Sequence, residues 1–444
     1  MTTKINNEHK KVYVPNKREQ NQTCLDSAER EGLRPKGNVP NLRFPEFQGE
    51  WEKCKVSDLL DFYSTNSLSW DKLEYGTDAI QNLHYGLIHV GLPTMIDLSK
   101  DKLPNITNGN TPKNYELCQE GDIAFADASE DTNEVAKAVE FYKLNGKDVI
   151  CGLHTIHGRD NQQKTVVGYK GYAFSSTAFH HQIRRIAQGT KIYSINSKNF
   201  SECYIGIPSK EEQKKIATLL RLIDERISTQ NKIIEDLKKL KSAISKYLFA
   251  RKDLLETTIC LSNIATLKNG YAFQSGKYNA MGKWKILTIT NVPGERYIND
   301  EDCNCMINLP DDIQDHQVLK EGDILISLTG NVGRVSLCKS GAYLLNQRVG
   351  LLQIEGNIDK EFLYQVLSSR RFENSMVACG QGAAQMNIGK RDVENFVLPY
   401  SSNANNIHLV ARILHSYDEC IINELRELTL LTMQKQYFLA QMFI

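Results

Sequence analysis

The chain has 444 residues and a formal net charge of +1, with 54 Lys and Arg against 53 Asp and Glu. That length exceeds one ordinary domain and suits two or three. The near-zero charge excludes the globally basic signature of a free-standing nucleic-acid binder, though not a local basic patch. Eleven scattered cysteines, no apolar leader in MTTKINNEHKKVYVPNKREQ and no apolar run of membrane-spanning length make a reducing cytoplasm the expected location.

Residues 1–41 are polar and poor in periodic apolar positions, which predicts a flexible tail. Order is expected to begin near PNLRFPEFQGEW, Pro40 to Trp51. From 42 to 208, short apolar runs alternate with Gly, Asn and Asp, the texture of an α/β or α+β domain; DIAFA (Asp122–Ala126) and KTVVGY (Lys164–Tyr169) read as strands. Residues 209–250 then lack Gly and Pro, and Ser209 with Glu212 forms a capping box. Ile216, Leu220, Ile223, Ile227, Ile234, Leu237, Ile244 and Leu248 follow at heptad spacing, interrupted by the polar Gln230 and Lys241. This predicts a helix of about 60 Å, at about 1.5 Å per residue. A second mixed region, 251–400, contains strand-like DILISL (Asp323–Leu328) and VGLLQI (Val349–Ile354). Residues 401–444 again lack Gly and Pro and carry a second seam of Val410, Leu414, Tyr417, Ile421, Leu428, Leu431, Phe438 and Met442.

The second seam is the first displaced by 194 residues, with IATLLRLIDERI (Ile216–Ile227) answered by VARILHSYDECI (Val410–Ile421). Its polar interruptions, Glu424 and Lys435, match Gln230 and Lys241. QEGDIAFADASE (Gln119–Glu130) is echoed by KEGDILISLTGN (Lys320–Asn331), and QGT at Gln188 by QGA at Gln381. Ordered echoes with drifting offsets predict an internal duplication of a globular domain followed by a long helix. Each apolar seam needs a partner. The two helices are therefore expected to pair as an antiparallel coiled coil, with similar domains at its two ends about a pseudo-two-fold axis. Two related readers on a rigid spacer suit DNA, whose half-sites are read at a distance set by protein geometry.

The chain resembles the specificity subunits of type I restriction-modification systems. The residues that carry the likeness are LRFPEFQGEWE (Leu42–Glu52), GDIAFADASED (Gly121–Asp131), IPSKEEQKKIATLLRLIDERI (Ile207–Ile227), NGYAFQSGKY (Asn269–Tyr278) and GDILISLTGNVGRV (Gly322–Val335). The second spacer departs from the first at Asn405, Asn406 and Ile407, which stand for Glu211, Glu212 and Gln213. The resemblance implies two target-recognition domains that read the halves of an asymmetric double-stranded DNA site. It also implies helices that hold two methyltransferase subunits, and restriction subunits that translocate and cleave. S-adenosylmethionine, ATP and Mg are then expected on those partners and none on this chain. A silent allele that donates domains by recombination, or a coiled-coil scaffold without a DNA role, are the other readings open.

Residue chemistry nominates contacts to DNA. In the first domain they are Ser64, Thr65, Asn66 and Ser67 of STNSLSW (Ser64–Trp70), with Asn82, His84, Arg184 and Arg185. In the second they are Asn269, Gln274, Ser275 and Lys277 of NGYAFQSGKY, then Thr329, Asn331 and Arg334 around TGNVG (Thr329–Gly333). Amides suit base edges, cations suit phosphates, and TGNVG serves either a phosphate or a tight turn. Tyr271 and Phe273 are assigned to the core of a hairpin. FVLPY (Phe396–Tyr400) lacks the Asn-Pro-Pro-aromatic pattern that holds a flipped adenine, and no Gly-rich cofactor turn precedes it, so no catalytic residue is assigned. Cys151, His154 and His157 recur at three-residue spacing, but no further ligand is evident, so ordinary packing is the expectation and no metal is assigned.

Overall fold

A computed structural model describes residues 37–380 and 386–444; the tail up to 36 and the QGA echo lie outside the described residues. The described chain forms two compact units, residues 37–231 with Glu427–Ile444, and Lys232–Arg426. Two long helices, Lys210–Ala250 and Ala404–Gln441, each contribute a segment to both. Among the described residues, no helix is long and apolar enough to cross a membrane.

The N-terminal unit opens with Glu52–Lys55 paired antiparallel to Tyr204–Ile207, the strand that leads into the first long helix. Its five-stranded sheet runs in the order Asp61–Tyr63, Thr155–Arg159, Ile123–Ala126, Ala138–Lys143, Met95–Asp97. IAFA is central and buried on both faces, which is why it reads as a continuous apolar run. A second sheet orders Val149–Cys151, Gln81–Leu83, Asn105–Ile106, Leu73–Glu74, its first two strands parallel.

The C-terminal unit repeats these parts in its own chain order. Thr257–Cys260 pairs antiparallel with Val397–Tyr400, just ahead of the second long helix. One sheet orders Ala265–Asn269, Val349–Ile354, Ile324–Ser327, Val335–Leu337, all antiparallel. The other orders Asn304–Met306, Trp284–Leu287, Tyr343–Leu345, Val318–Leu319, and again contains one parallel pair. The edge strand Met95–Asp97 of the first unit has no counterpart among these four.

Two strand expectations fail. KTVVGY is a turn entering the short helix Lys170–Phe174. Its backbone bonds go to Gln213 of the first long helix, which accepts from Val166 N at 2.8 Å and donates to Lys164 O at 3.2 Å. NGYAFQSGKY forms no hairpin; a strand ending at Asn269 runs into a 3-10 turn at Ser275–Lys277. Tyr271 and Phe273 are half-buried, with ring centroids 4.9 Å apart.

Every seam residue nominated on the two helices is buried or half-buried. Ser209 does cap the first helix, accepting from Glu212 N at 3.3 Å. The Glu212 carboxylate, however, turns away to a bidentate pair with Arg43, both contacts at 2.7 Å. The polar interruptions have partners. In the C-terminal unit, Lys241 donates to Asp418 at 2.6 Å. In the N-terminal unit, Lys435 lies 2.6 Å from Asp224. Each lysine also sits 5.9 Å from a tyrosine ring, Tyr364 for Lys241 and Tyr172 for Lys435. Positions 224 and 418, and 241 and 435, are equivalent under the 194-residue shift, so one contact is made reciprocally.

Candidate nucleic-acid interface

In the N-terminal unit Asn66, Asn82 and His84 converge where the parallel pair Gln81–Leu83 and Val149–Cys151 ends. Ser64, Thr65 and Ser67 are exposed on a loop. Asn66 anchors that loop by donating from Nδ2 to Asn82 Oδ1 at 2.7 Å and to Cys151 O at 2.9 Å. Asn82 is fully buried and its role is to brace Asn66, so it is withdrawn as a base reader. His84 is withdrawn as well. It is 3% exposed, its Nδ1 accepts from Gly86 N to cap the helix Tyr85–Val90, and its ring lies 4.5 Å from Trp70 and 4.7 Å from Tyr85. Burial, with His154 nearby, lowers the pKa of His84 and keeps it neutral.

Residues that sequence reasoning passed over complete this end of the unit. Trp70 is 46% exposed beside His84. Tyr85 stacks edge-on to His154 at 5.1 Å, and His154 donates to Asp127 at 3.1 Å. Asp127 belongs to the GDIAFADASED motif, so that motif and the segment Cys151–His157 meet here. Arg184 donates to Asn133 at 3.1 Å, whereas Arg185 is exposed.

The C-terminal unit assembles the equivalent end from different chemistry. Thr288 replaces His84 as the cap after the parallel strand, bonding Asn291 Oδ1 at 2.9 Å. Asn269, Gln274, Ser275 and Lys277 are exposed. Thr329 donates to Asn387 at 3.2 Å, Asn331 is exposed, and half-buried Arg334 lies 3.9 Å from Glu373. TGNVG is a tight turn. Gly330 and Gly333 have φ of 75° and 77°, and the N–H groups of Gly330, Val332 and Gly333 are spent on Met386 O, Gly330 O and Ser327 O. Those three amides are not available to a phosphate. Between the two nominated segments runs Asn346–Arg348: Gln347 N donates to Tyr271 O, and Leu328 N to Arg348 O. Gln347 and Arg348 are exposed. The polar triplet NQR between two apolar strands was the signal that could have found them.

Both ends thus carry exposed polar groups on similar backbone supports, with different residues at the tips. Such groups can bond base edges and phosphates but form no catalytic constellation.

Comparison with known proteins agrees in both sequence and fold. The family model of the type I restriction modification DNA specificity domain matches residues 102–239 and again 256–432, more than half of the chain. A type I restriction enzyme MjaVIII specificity subunit of Methanocaldococcus jannaschii is 30% identical over 309 residues, 59% of this chain and 72% of the relative. A putative type I restriction enzyme MjaX specificity subunit from the same organism is 23% identical over 382 residues, 82% and 85% of the two chains. The fold is similar to that of the type I restriction-modification S subunit from M. genitalium, with a TM-score of 0.53, 17% identity and coverage of 91% of this chain and 99% of that one. A chain from a structure bearing on complex assembly and conformational transition of the type I R-M system also gives 0.53, at 15% identity, covering 88% and 96%. The chain belongs to the type I restriction-modification DNA specificity family.

Proposed function

We propose that this chain is the non-catalytic, cytoplasmic DNA-specificity subunit of a type I restriction-modification complex. The two units are target-recognition domains that arose by internal duplication, and each reads one half of a bipartite, asymmetric site. The long helices form an antiparallel coiled coil that sets the spacing of the half-sites and docks two methyltransferase subunits. Restriction subunits join that assembly, and S-adenosylmethionine, ATP and Mg act on the partners.

The observation that carries this reading is a repeated support with unrepeated tips. The two units share four antiparallel strands of one sheet, a parallel pair in the other and the reciprocal Lys–Asp contact. They differ where the candidate contacts lie, Trp70 and His154 in one and Gln274 and Arg348 in the other. Recognition diverges on loops carried by a constant frame. On the outside of the helices, Leu222, Leu240, Tyr247, Leu430, Met433 and Tyr437 are exposed by 46–62%, more apolar surface than the seam needs and suited to partner subunits.

The test is to replace residues 42–208 with the same region of a relative and map adenine methylation genome-wide by long-read sequencing. One half of the methylated motif changes and the other is retained. A change in both halves would refute the two-reader arrangement.

A further inference from the structure

Behind the reading loop of the N-terminal unit lies a buried cluster that this function does not require. Cys118, Cys151 and His157 offer sulfur and nitrogen atoms all within 4.8 Å of one another, and all three residues are buried. The two sulfurs are 3.6 Å apart. Metal–sulfur arms of about 2.3 Å meeting at a tetrahedral angle span about 3.8 Å between sulfurs, so the pair already stands at a chelating distance.

His157 is prepared in the manner of a ligand. Its Nε2 lies 2.8 Å from Asp122 Oδ2. Asp122 also accepts from Arg159 Nε at 2.9 Å and Nη2 at 2.8 Å. Asp122 Oδ2 accepts from Nε2–H and fixes the ring. The other ring nitrogen, Nδ1, is buried and has no hydrogen-bond partner. A carboxylate behind a ligating histidine is the usual outer support of a metal site.

The other unit supplies the control. Cys118 precedes QEGD as Leu319 precedes KEGD; Cys151 and Leu345 end the equivalent parallel strand; His157 faces Ala124 as Leu351 faces Leu325. Leu319, Leu345 and Leu351 are all buried in one apolar cluster. Packing at these three places is therefore satisfied by leucine, and Cys, Cys and His answer some other demand.

We propose that Cys118, Cys151 and His157 bind a zinc-class divalent cation, with Asp122 orienting His157 and water in the fourth position. Binding displaces the two thiol protons to solvent, and the dithiolate neutralises the ion. The ion is structural. It ties the end of strand Val149–Cys151, whose Cys151 carbonyl holds Asn66, to the sheet beside it. His154, exposed and bonded to Asp127, takes no part.

The experiment uses the full-length chain purified under reductant, loaded with zinc and freed of loosely held metal by a weak chelator. Elemental analysis is expected to find stoichiometric zinc, unchanged in a C303S/C305S variant and reduced to background in C118S and in H157L. The triple variant Cys118→Leu, Cys151→Leu, His157→Leu copies the other unit, and is expected to fold without metal. Cobalt in place of zinc reports on the unmutated chain through a thiolate-to-cobalt charge-transfer band in the near ultraviolet. Background zinc in the loaded unmutated chain with no such band, or zinc retained by the triple variant, overturns the site.

Discussion

Along the two long helices, positions 194 residues apart agree on the inward face and disagree on the outward one. Leu220 and Leu414 are both fully buried, and Asp224 and Asp418 each hold a lysine from the other helix. Outward, exposed Leu222, Ile233, Leu240 and Tyr247 correspond to Ser416, Glu427, Gln434 and Gln441. Exposed Leu430, Met433 and Tyr437 correspond to Asp236, Lys239 and Ala243. Mutual packing constrains the first face, because each helix is the environment of the other. On the second face each helix has an apolar stripe of its own. Two outward faces of different composition thus sit on helices whose inward faces match.

The largest test of this comparison separates the equivalent aspartates. Asp418 is 5% exposed and receives Lys241 at 2.6 Å, Arg296 at 3.1 Å and Gln365 at 2.6 Å. Asp418→Ala leaves Lys241 without its carboxylate and Arg296 with Glu361 alone, in a buried place, and is expected to cost about 3–5 kcal/mol in urea unfolding. Next come Leu220→Ala and Leu414→Ala, which sharpen the inward equivalence: each is expected to cost about 2–5 kcal/mol, with the two values close to one another. A wide gap between them would break the repeat at its core. Asp224→Ala is expected to cost only about 1–2 kcal/mol, since Asp224 is partly exposed and bonds Lys435 and the Tyr172 hydroxyl. Equal losses at Asp224 and Asp418 would show that the extra partners of Asp418 contribute nothing. Smallest in stability are Leu240→Glu and Tyr437→Glu, expected within about 0.5 kcal/mol of the parent. Their effect should appear in pull-downs of methyltransferase subunits instead, each variant weakening capture while the chain stays folded. Undiminished capture by both would remove the outward stripes as docking surfaces.

The helices were legible because burial with a fixed period writes itself into the order of residues. Strands such as VGLLQI were legible for the same reason, being buried on both faces. KTVVGY misled because its β-branched residues serve a turn whose backbone is satisfied by a distant glutamine, Gln213. The box between Ser209 and Glu212 half-formed, since Glu212 found a stronger partner in Arg43, 169 residues earlier. Site residues divided along the same line. Ser64, Thr65, Ser67 and Gln274–Lys277 are exposed as polar loop residues ought to be. Asn82 and His84 carry the same chemistry, yet a strand end and a helix cap draw them inside. Cys118 escaped notice because it joins Cys151 and His157 through sheet pairing rather than spacing.

The last residues described have a consequence for how the molecule comes to be made. Leu439, Met442 and Phe443 belong to the core of the N-terminal unit, Phe443 lies 6.5 Å from Trp51, and Gln441 O accepts from Leu42 N at 2.9 Å. During synthesis, the unit whose strands emerge first therefore waits for residues emitted after the whole C-terminal unit. The nascent chain must carry an open N-terminal core across nearly two hundred residues of translation, while the second unit, Lys232–Arg426, has all its parts already. Chaperone demand should concentrate on the earlier half. Loss of a few residues from Leu439 onward, by frameshift or protease, would damage the opposite end of the sequence first.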